Sequence, residues 1–160
     1  MDNIQIAIMM GSQSDLPTMQ EAADILKEFG VGYEMRVLSA HRTPQETAAY
    51  AEALKGRGVK IVIAGAGGSA ALAGVVAAHT TLPVIGIPIE TTAFNGMDSL
   101  LSTVQMPPGV PVATVAVGKP GAKNAGILAL RILSLSDGTI EKKLEQYREK
   151  QREKILKTKI

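Results

Sequence analysis

The sequence predicts an α/β fold: a doubly wound parallel sheet with helices on both faces and a helical extension at the C-terminus. Three observations predict it. Short apolar runs recur, most of them ending in glycine, serine or proline. Segments with apolar residues spaced by three and four lie between them. The connections are mostly short, and alternation of this kind favours parallel strands joined by crossover helices.

Ile4 to Met10 is an apolar run ending at Gly11 and reads as a buried strand. Leu16-Pro17 opens a helix whose inner face is Met19, Ala22, Ala23, Leu26 and Phe29, and Gly30 ends it. Tyr33 to Leu38 is the second strand. The next helix runs from about Pro44 to Lys55, with Ala48, Ala51 and Leu54 inward and Gly56 closing it. Thr43 suits its cap, Pro44 its first position, and Glu46 stands where a capping box requires an acid. Val59 to Ala64 is the third strand, and Gly65-Ala66-Gly67-Gly68-Ser69 follows it as a loop. A helix of small residues covers 70–78. Leu82 to Ile87 is the fourth strand, Val112 to Val117 the fifth, and Asn124 to Leu133 a further helix.

Two segments break the rhythm. Pro88 to Pro111 is a long connection around a short helix, Met97 to Gln105, and connections that long are often functional. Residues 136–160 form a charged helix with a thin stripe of Ile140, Leu144 and Tyr147. Such a stripe needs a surface to dock on, either the body or another subunit. The whole chain, 1–160, reads as a single domain of ordinary size.

Composition removes several functions. With 46% apolar residues but 3% aromatics, the core must be aliphatic. Net charge is +2, from 17 basic and 15 acidic residues, which predicts no nucleic-acid partner and no membrane attachment. No cysteine is present, so disulfides and thiolate metal sites are excluded. The two histidines are 38 positions apart, which predicts no metal site. The N-terminus lacks a basic stretch followed by a long apolar one, so no leader and a cytoplasmic protein are expected.

Three loops fall at the carboxyl ends of successive strands: Gly11 to Asp15, Ser39 to Arg42, and Gly65 to Ser69. In an open parallel sheet these ends share one rim, where ligands bind. Ser12 and Ser14 offer hydroxyls beside helix-start amides, a workable phosphate cradle. Asp15 suits ribose hydroxyls, and Arg42 is a planar fork for phosphate. The glycines at 65, 67 and 68 let bare backbone approach a flat ring. His41 is then the group that can move a proton in neutral water. Together they read as a site for a nucleoside monophosphate with proton transfer at the base. Each part also has a plainer account. Ser12 to Asp15 can be an ordinary helix start with Ser14 or Asp15 as cap, and Gly65 to Gly68 a close-packed turn. His41-Arg42 can be an incidental surface pair, and His79 a helix C-terminal residue near the dipole.

Longer motifs narrow the choice. Gly11-Ser12-x-Ser14-Asp15, Ser39-Ala40-His41-Arg42-Thr43-Pro44, Ile63-Ala64-Gly65-Ala66-Gly67-Gly68, Leu82-Pro83-Val84-Ile85-Gly86 and Asp98-Ser99-Leu100-Leu101-Ser102-x-Val104-Gln105-Met106-Pro107 resemble the PurE family of purine biosynthesis. So does Gly109 to Ala116 with Asn124-Ala125-Gly126. The likeness spans nearly the whole chain and is nearest the bacterial mutase class. It implies a flavodoxin-like three-layer sandwich assembled as an octamer, without cofactor or metal. It also implies an isomerase that moves a carboxyl group from N5 to C4 of carboxyaminoimidazole ribonucleotide. His41 would be the general acid and base. Ser12, Asp15 and Arg42 would bind the ribonucleotide, with Ser14, Ser39, Gly65, Ala66 and Gly67 lining the same site. One loop departs from the mutase pattern. Ser69-Ala70-Ala71-Leu72-Ala73-Gly74 has Ala71 where a second pocket histidine is expected and Ala73 where a proline is. The family's other class, which carboxylates aminoimidazole ribonucleotide with CO2, also lacks that histidine. Arg42 and Gly68 are mutase-like. The rival readings are therefore that carboxylase and a catalytically silent nucleotide binder.

Overall fold

The computed structural model describes residues 4–91 and 93–158. Five parallel strands form one sheet: β1 (Ile4–Met10), β2 (Gly32–Val37), β3 (Ile61–Gly67), β4 (Val84–Ile89) and β5 (Ala113–Thr114). Their order is β2-β1-β3-β4-β5, so the chain steps outward from β1 first to one side and then to the other. Among the described residues the α-helices are α1 (Leu16–Phe29), α2 (Pro44–Leu54), α3 (Leu72–His79), α4 (Met97–Val104), α5 (Gly118–Ser134) and α6 (Gly138–Leu156).

Strand alternation divides the core into two layers. Ile6, Ile8, Ile61, Ile63, Ile85 and Ile87 face α1 and α5 on one side of the sheet. Ala7, Met9, Val62, Ala64 and Val84 face α2 and α3 on the other. The second layer is packed closely through small residues. A Cβ on Gly86 would lie 2.5 Å from Cγ2 of Thr103, so α4 is seated directly against β4. Tyr50 on α2 donates to Oε1 of Glu34 on β2 at 2.7 Å, and Arg57 reaches Oε2 of the same carboxylate at 2.7 Å. These bonds hold α2, and the turn after it, against the edge strand.

The C-terminal helix docks on the body of its own chain. Ile140 and Leu144 are buried, and Tyr147 packs on Phe29 with ring centroids 5.8 Å apart. Lys143 Nζ donates to the Phe29 carbonyl at 2.7 Å, meeting the C-terminal end of α1, where a cation is favoured.

Several boundaries differ from the expected ones for physical reasons. Strand β3 continues through Gly67, because residues 65–67 pair with Ile87, Pro88 and Ile89 of β4. The expected glycine loop is therefore mostly strand. Strand β5 is two residues long, and α5 starts six residues before Asn124. Pro120 falls in its first turn, where a missing N–H costs nothing. Gly121 is required there, since a Cβ would lie 1.6 Å from the Ala116 carbonyl oxygen. Lys55 remains helical after α2, and Gly58 rather than Gly56 takes the left-handed turn, with φ of 88°. Thr47 is fully buried on α2, while Ala48 is only partly so.

Candidate active site

The crevice lies where the strand order reverses, at the carboxyl ends of β1 and β3, the position expected for a ligand in such a sheet. An open cavity of about 380 Å³ occupies it. Its wall is built from Gly11, Ser12, Ser14, Asp15, Ser39, Ala40, His41, Arg42, Ala66, Gly67, Ser69, Ala71, Leu72 and Thr91.

The loop after β1 is ordered by a reciprocal cap. Ser12 caps the 3-10 turn Gln13–Asp15: its Oγ accepts the Ser14 N–H at 3.3 Å. Asp15 Oδ2 accepts the Ser12 N–H in return at 2.9 Å. A capping box thus joins Ser12 and Asp15, and Asp15 also holds the N-cap position of α1 but makes no side-chain cap bond to that helix. Asp15 is only 8% exposed. Burial is the largest influence on its carboxyl and raises it above the ordinary carboxylate range. The Ser12 N–H, the Arg42 guanidinium and the Gly11 N–H pull the other way without cancelling it.

The loop after β2 is closed by Thr43. Its hydroxyl accepts the Ser39 N–H at 2.9 Å and donates to the Ser39 carbonyl at 3.0 Å, while the Thr43 N–H reaches the same carbonyl at 2.8 Å. The hydroxyl therefore makes no cap on α2, and the expected Thr43–Glu46 box does not form. A hydroxyl already engaged upstream has no geometry left for the helix amides. Ser39 Oγ accepts both the Arg42 N–H at 3.2 Å and Nε–H at 3.3 Å. Arg42 Nη2 then donates to the Gly11 carbonyl at 2.8 Å. Arg42 therefore straps the second loop to the first and brings a fixed cation to the cavity wall. His41 is exposed beside it.

The third contribution differs from expectation. Ala66 and Gly67 line the cavity, but Gly65 does not. Gly65 is buried beneath the cavity, and its carbonyl accepts the Gly11 N–H at 3.2 Å. A Cβ there would lie 2.2 Å from the Met19 sulfur, so any side chain would have to displace that packed methionine. Gly68 alone of these glycines has positive φ, 62°, and turns the chain into the wall formed by Ser69, Ala71 and Leu72. Thr91 is a wall residue that the sequence reading did not single out. It comes from the long connection after β4, which carried a signal only through its length. His79 ends α3 and lies 3.0 Å from Glu52 through Nδ1, not on the cavity wall.

The wall thus offers serine hydroxyls and a helix-start loop beside a guanidinium, one buried carboxylate, one exposed imidazole and bare backbone. Fold and site together define a doubly wound α/β protein whose small-molecule cavity sits at the switch point of its sheet. Within that class the family is particular. A family model described as AIR carboxylase matches residues 5–154, and the chain belongs to that family. Relatives named N5-carboxyaminoimidazole ribonucleotide mutase are similar over most of their length. The one from Vibrio parahaemolyticus is 56% identical over 96% of this chain and 95% of its own. That from Bacillus subtilis is 56% identical over 96% and 94%, and that from Pyrococcus abyssi 58% over 91% and 82%. Among solved structures, Treponema denticola PurE superposes with a TM-score of 0.85 at 35% identity, covering 95% of this chain and 94% of that one. The flavodoxin-like architecture is the same.

Proposed function

We propose that this chain is an N5-carboxyaminoimidazole ribonucleotide mutase, an isomerase of purine biosynthesis. One observation carries the reading: relatives named for that reaction are 50–58% identical over nearly the whole chain. The cavity chemistry suits it. Among the wall residues, His41 alone is of a type that both gives and takes a proton in neutral water.

The proposed cycle needs one proton carrier. Protonated His41 gives its proton to the exocyclic nitrogen as the carbamate N–C bond breaks, leaving CO2 and the free amine. C4 of the aminoimidazole then attacks CO2, and neutral His41 removes the C4 proton. That step restores the aromatic ring and returns the imidazole to its starting state. Arg42 and the Ser12–Ser14 hydroxyls hold the phosphate, Asp15 the ribose, and Ser39, Ala66 and Gly67 the remaining surface. Gly65 acts through packing rather than contact.

The cavity is open, and CO2 must be held in it between the two steps. An octamer, the assembly implied by the sequence resemblance, would supply the cover. Phe94, Met97, Leu101 and Val104 form an exposed apolar stripe on α4 and the turn before it, a surface that assembly would bury. The setting is the cytoplasm. No helix among the described residues is long and apolar enough to cross a membrane.

The deciding experiment offers the purified protein the carbamate, and separately aminoimidazole ribonucleotide with bicarbonate. The mutase reading expects turnover of the carbamate without bicarbonate. His41→Asn should then lower turnover about 10²–10⁴-fold while ribonucleotide affinity stays within a few-fold. Turnover of only the second mixture would make the chain a CO2-dependent carboxylase, a reading that Ala71 in the wall favours. Turnover of neither would make it a silent binder.

A further inference from the structure

We propose that Ser102 and Asp98, on helix α4 and outside the cavity wall, are positioning residues that hold the far side of the cavity in its working shape. The inference rests on the function proposed above, and it concerns the loop from Gly67 to Ala71 together with Thr91.

Ser102 is one turn below Asp98 on the same edge of α4. Its hydroxyl lies against the Asp98 carbonyl, the helical back-bond, and this fixes the side-chain rotamer. A lone pair of Oγ is then left facing the cavity loop, where it accepts the Ala70 N–H at 3.3 Å. The Gly68 carbonyl, also at 3.3 Å, shares the hydroxyl proton with the Asp98 carbonyl. One side chain therefore touches the backbone on both sides of Ser69. That residue and Ala71 point their atoms into the cavity wall, and the turn between them is entered through the left-handed Gly68.

Asp98 acts on the neighbouring part of the wall. Its Oδ1 accepts the Ser99 N–H at 2.9 Å, which leaves Oδ2 to accept from the Thr91 hydroxyl at 3.3 Å. Thr91 lines the cavity and lies so close over Gly67 that a Cβ there would be 2.7 Å from its methyl group. Asp98 and Ser102 thus pin Thr91, Gly68 and Ala70 to one rigid element. That element is itself seated on β4 through Thr103, fully on its buried side. Ser69 is exposed, and among the described residues the turn carries one internal bond, Ala71 N–H to the Ser69 carbonyl at 2.8 Å, while Ala70 is buried and the Ala71 carbonyl accepts the Val75 N–H at 2.9 Å. A wall that must confine CO2 beside C4 has to be stiff, and misplacement by about 1 Å can cost roughly 10²-fold in rate.

The experiment compares the full-length wild type with Ser102→Ala, Ser102→Thr and Asp98→Ala at matched assembly state and below the melting range. Two readouts are taken. The first is hydrogen exchange at the Ala70 amide, expected to quicken by roughly three- to tenfold in Ser102→Ala, the factor carried by one typical hydrogen bond. The second is partitioning of the carbamate between the C4-carboxylated product and free aminoimidazole ribonucleotide. Ser102→Ala should release several-fold more of the free ribonucleotide with its affinity for that ligand within about twofold. Ser102→Thr, which keeps the hydroxyl, should restore both readouts, and Asp98→Ala should raise the leak by loosening Thr91. Wild-type exchange at Ala70 in Ser102→Ala would overturn the proposal. So would quickened exchange with wild-type partitioning and turnover, or failure of Ser102→Thr to rescue. The exchange arm needs no substrate. A wild type inactive on the carbamate would thus overturn the function, and the Ala70 amide would still decide whether Ser102 holds the loop.

Discussion

Gly65→Ala separates two roles that a glycine beside a ligand cavity can have. The added Cβ would lie 2.2 Å from Sδ and 3.0 Å from Cε of Met19, and 3.1 Å from Cδ1 of Ile89. Met19 is fully buried, and Ile89 is 7% exposed, so neither has open space to swing into. Nor can β3 shift freely, because the Gly65 carbonyl holds the Gly11 N–H at the start of the first cavity loop. Overpacking of this kind costs about 1–3 kcal/mol, and for a chain of this size each kcal/mol lowers the melting temperature by roughly 2–4 °C. The expected fall is therefore about 2–12 °C. Met19→Ala alone should cost about 2–5 kcal/mol through the cavity it leaves. The double variant should cost less than the sum by about 1–3 kcal/mol, since the smaller side chain removes the clash. Denaturant titration of the four proteins at one protein concentration measures this coupling. A Gly65→Ala protein as stable as wild type, or a coupling near zero, would refute the packing argument. Lost ribonucleotide binding with unchanged stability would return Gly65 to the ligand surface.

Asp15→Asn should expose a carboxylate kept at a cost to stability. Because burial raises the folded carboxyl above its unfolded value, the charged form is disfavoured in the fold. Wild-type stability relative to the variant should then fall as pH rises from about 4 through the raised folded value. A wild-type advantage that grows with pH over that window would give the opposite sign, while the variant's ribonucleotide affinity should drop throughout. Leu144→Ala, in a side chain 8% exposed on α6, should cost about 2 kcal/mol of stability, read by denaturant titration. Its turnover should not change, since α6 gives no residue to the cavity wall. Ala71→His should lower the release of free aminoimidazole ribonucleotide from the carbamate by filling part of the wall; equal or greater release from a folded variant would count against that account.

Much of the architecture was legible because its determinants are local. The Ile4–Met10 run, the Met19-Ala22-Ala23-Leu26-Phe29 spacing and the glycine after it describe a strand and a helix without reference to anything distant. Boundaries failed where a nearby backbone contact, invisible in the residue pattern, overrode the local signal. Pro120 and Gly121 look like helix breakers until the Ala116 carbonyl is seen to occupy the space of a Cβ. Thr43 looks like a cap until its hydroxyl is found on Ser39. Thr91 was signalled only by the length of its connection and Ser69 only as the end of a glycine-rich segment, because a single threonine or serine has no periodicity to announce it.

By itself, the order of apolar runs and turns determined a parallel sheet and hence which loops share its rim. The motifs on those loops, together with those over 82–86, 98–107, 109–116 and 124–126, pointed to the family. Only the tertiary structure decided what each rim residue faces. It turned Arg42 across to the Gly11 carbonyl, buried Asp15 under its own turn, and set Gly65 against Met19 instead of the cavity. The physical reason is range. Hydrophobic period and turn chemistry act over a few residues along the chain, whereas burial, a clash at a missing Cβ and a hydrogen bond across 31 positions exist only once β1, β2 and β3 lie side by side.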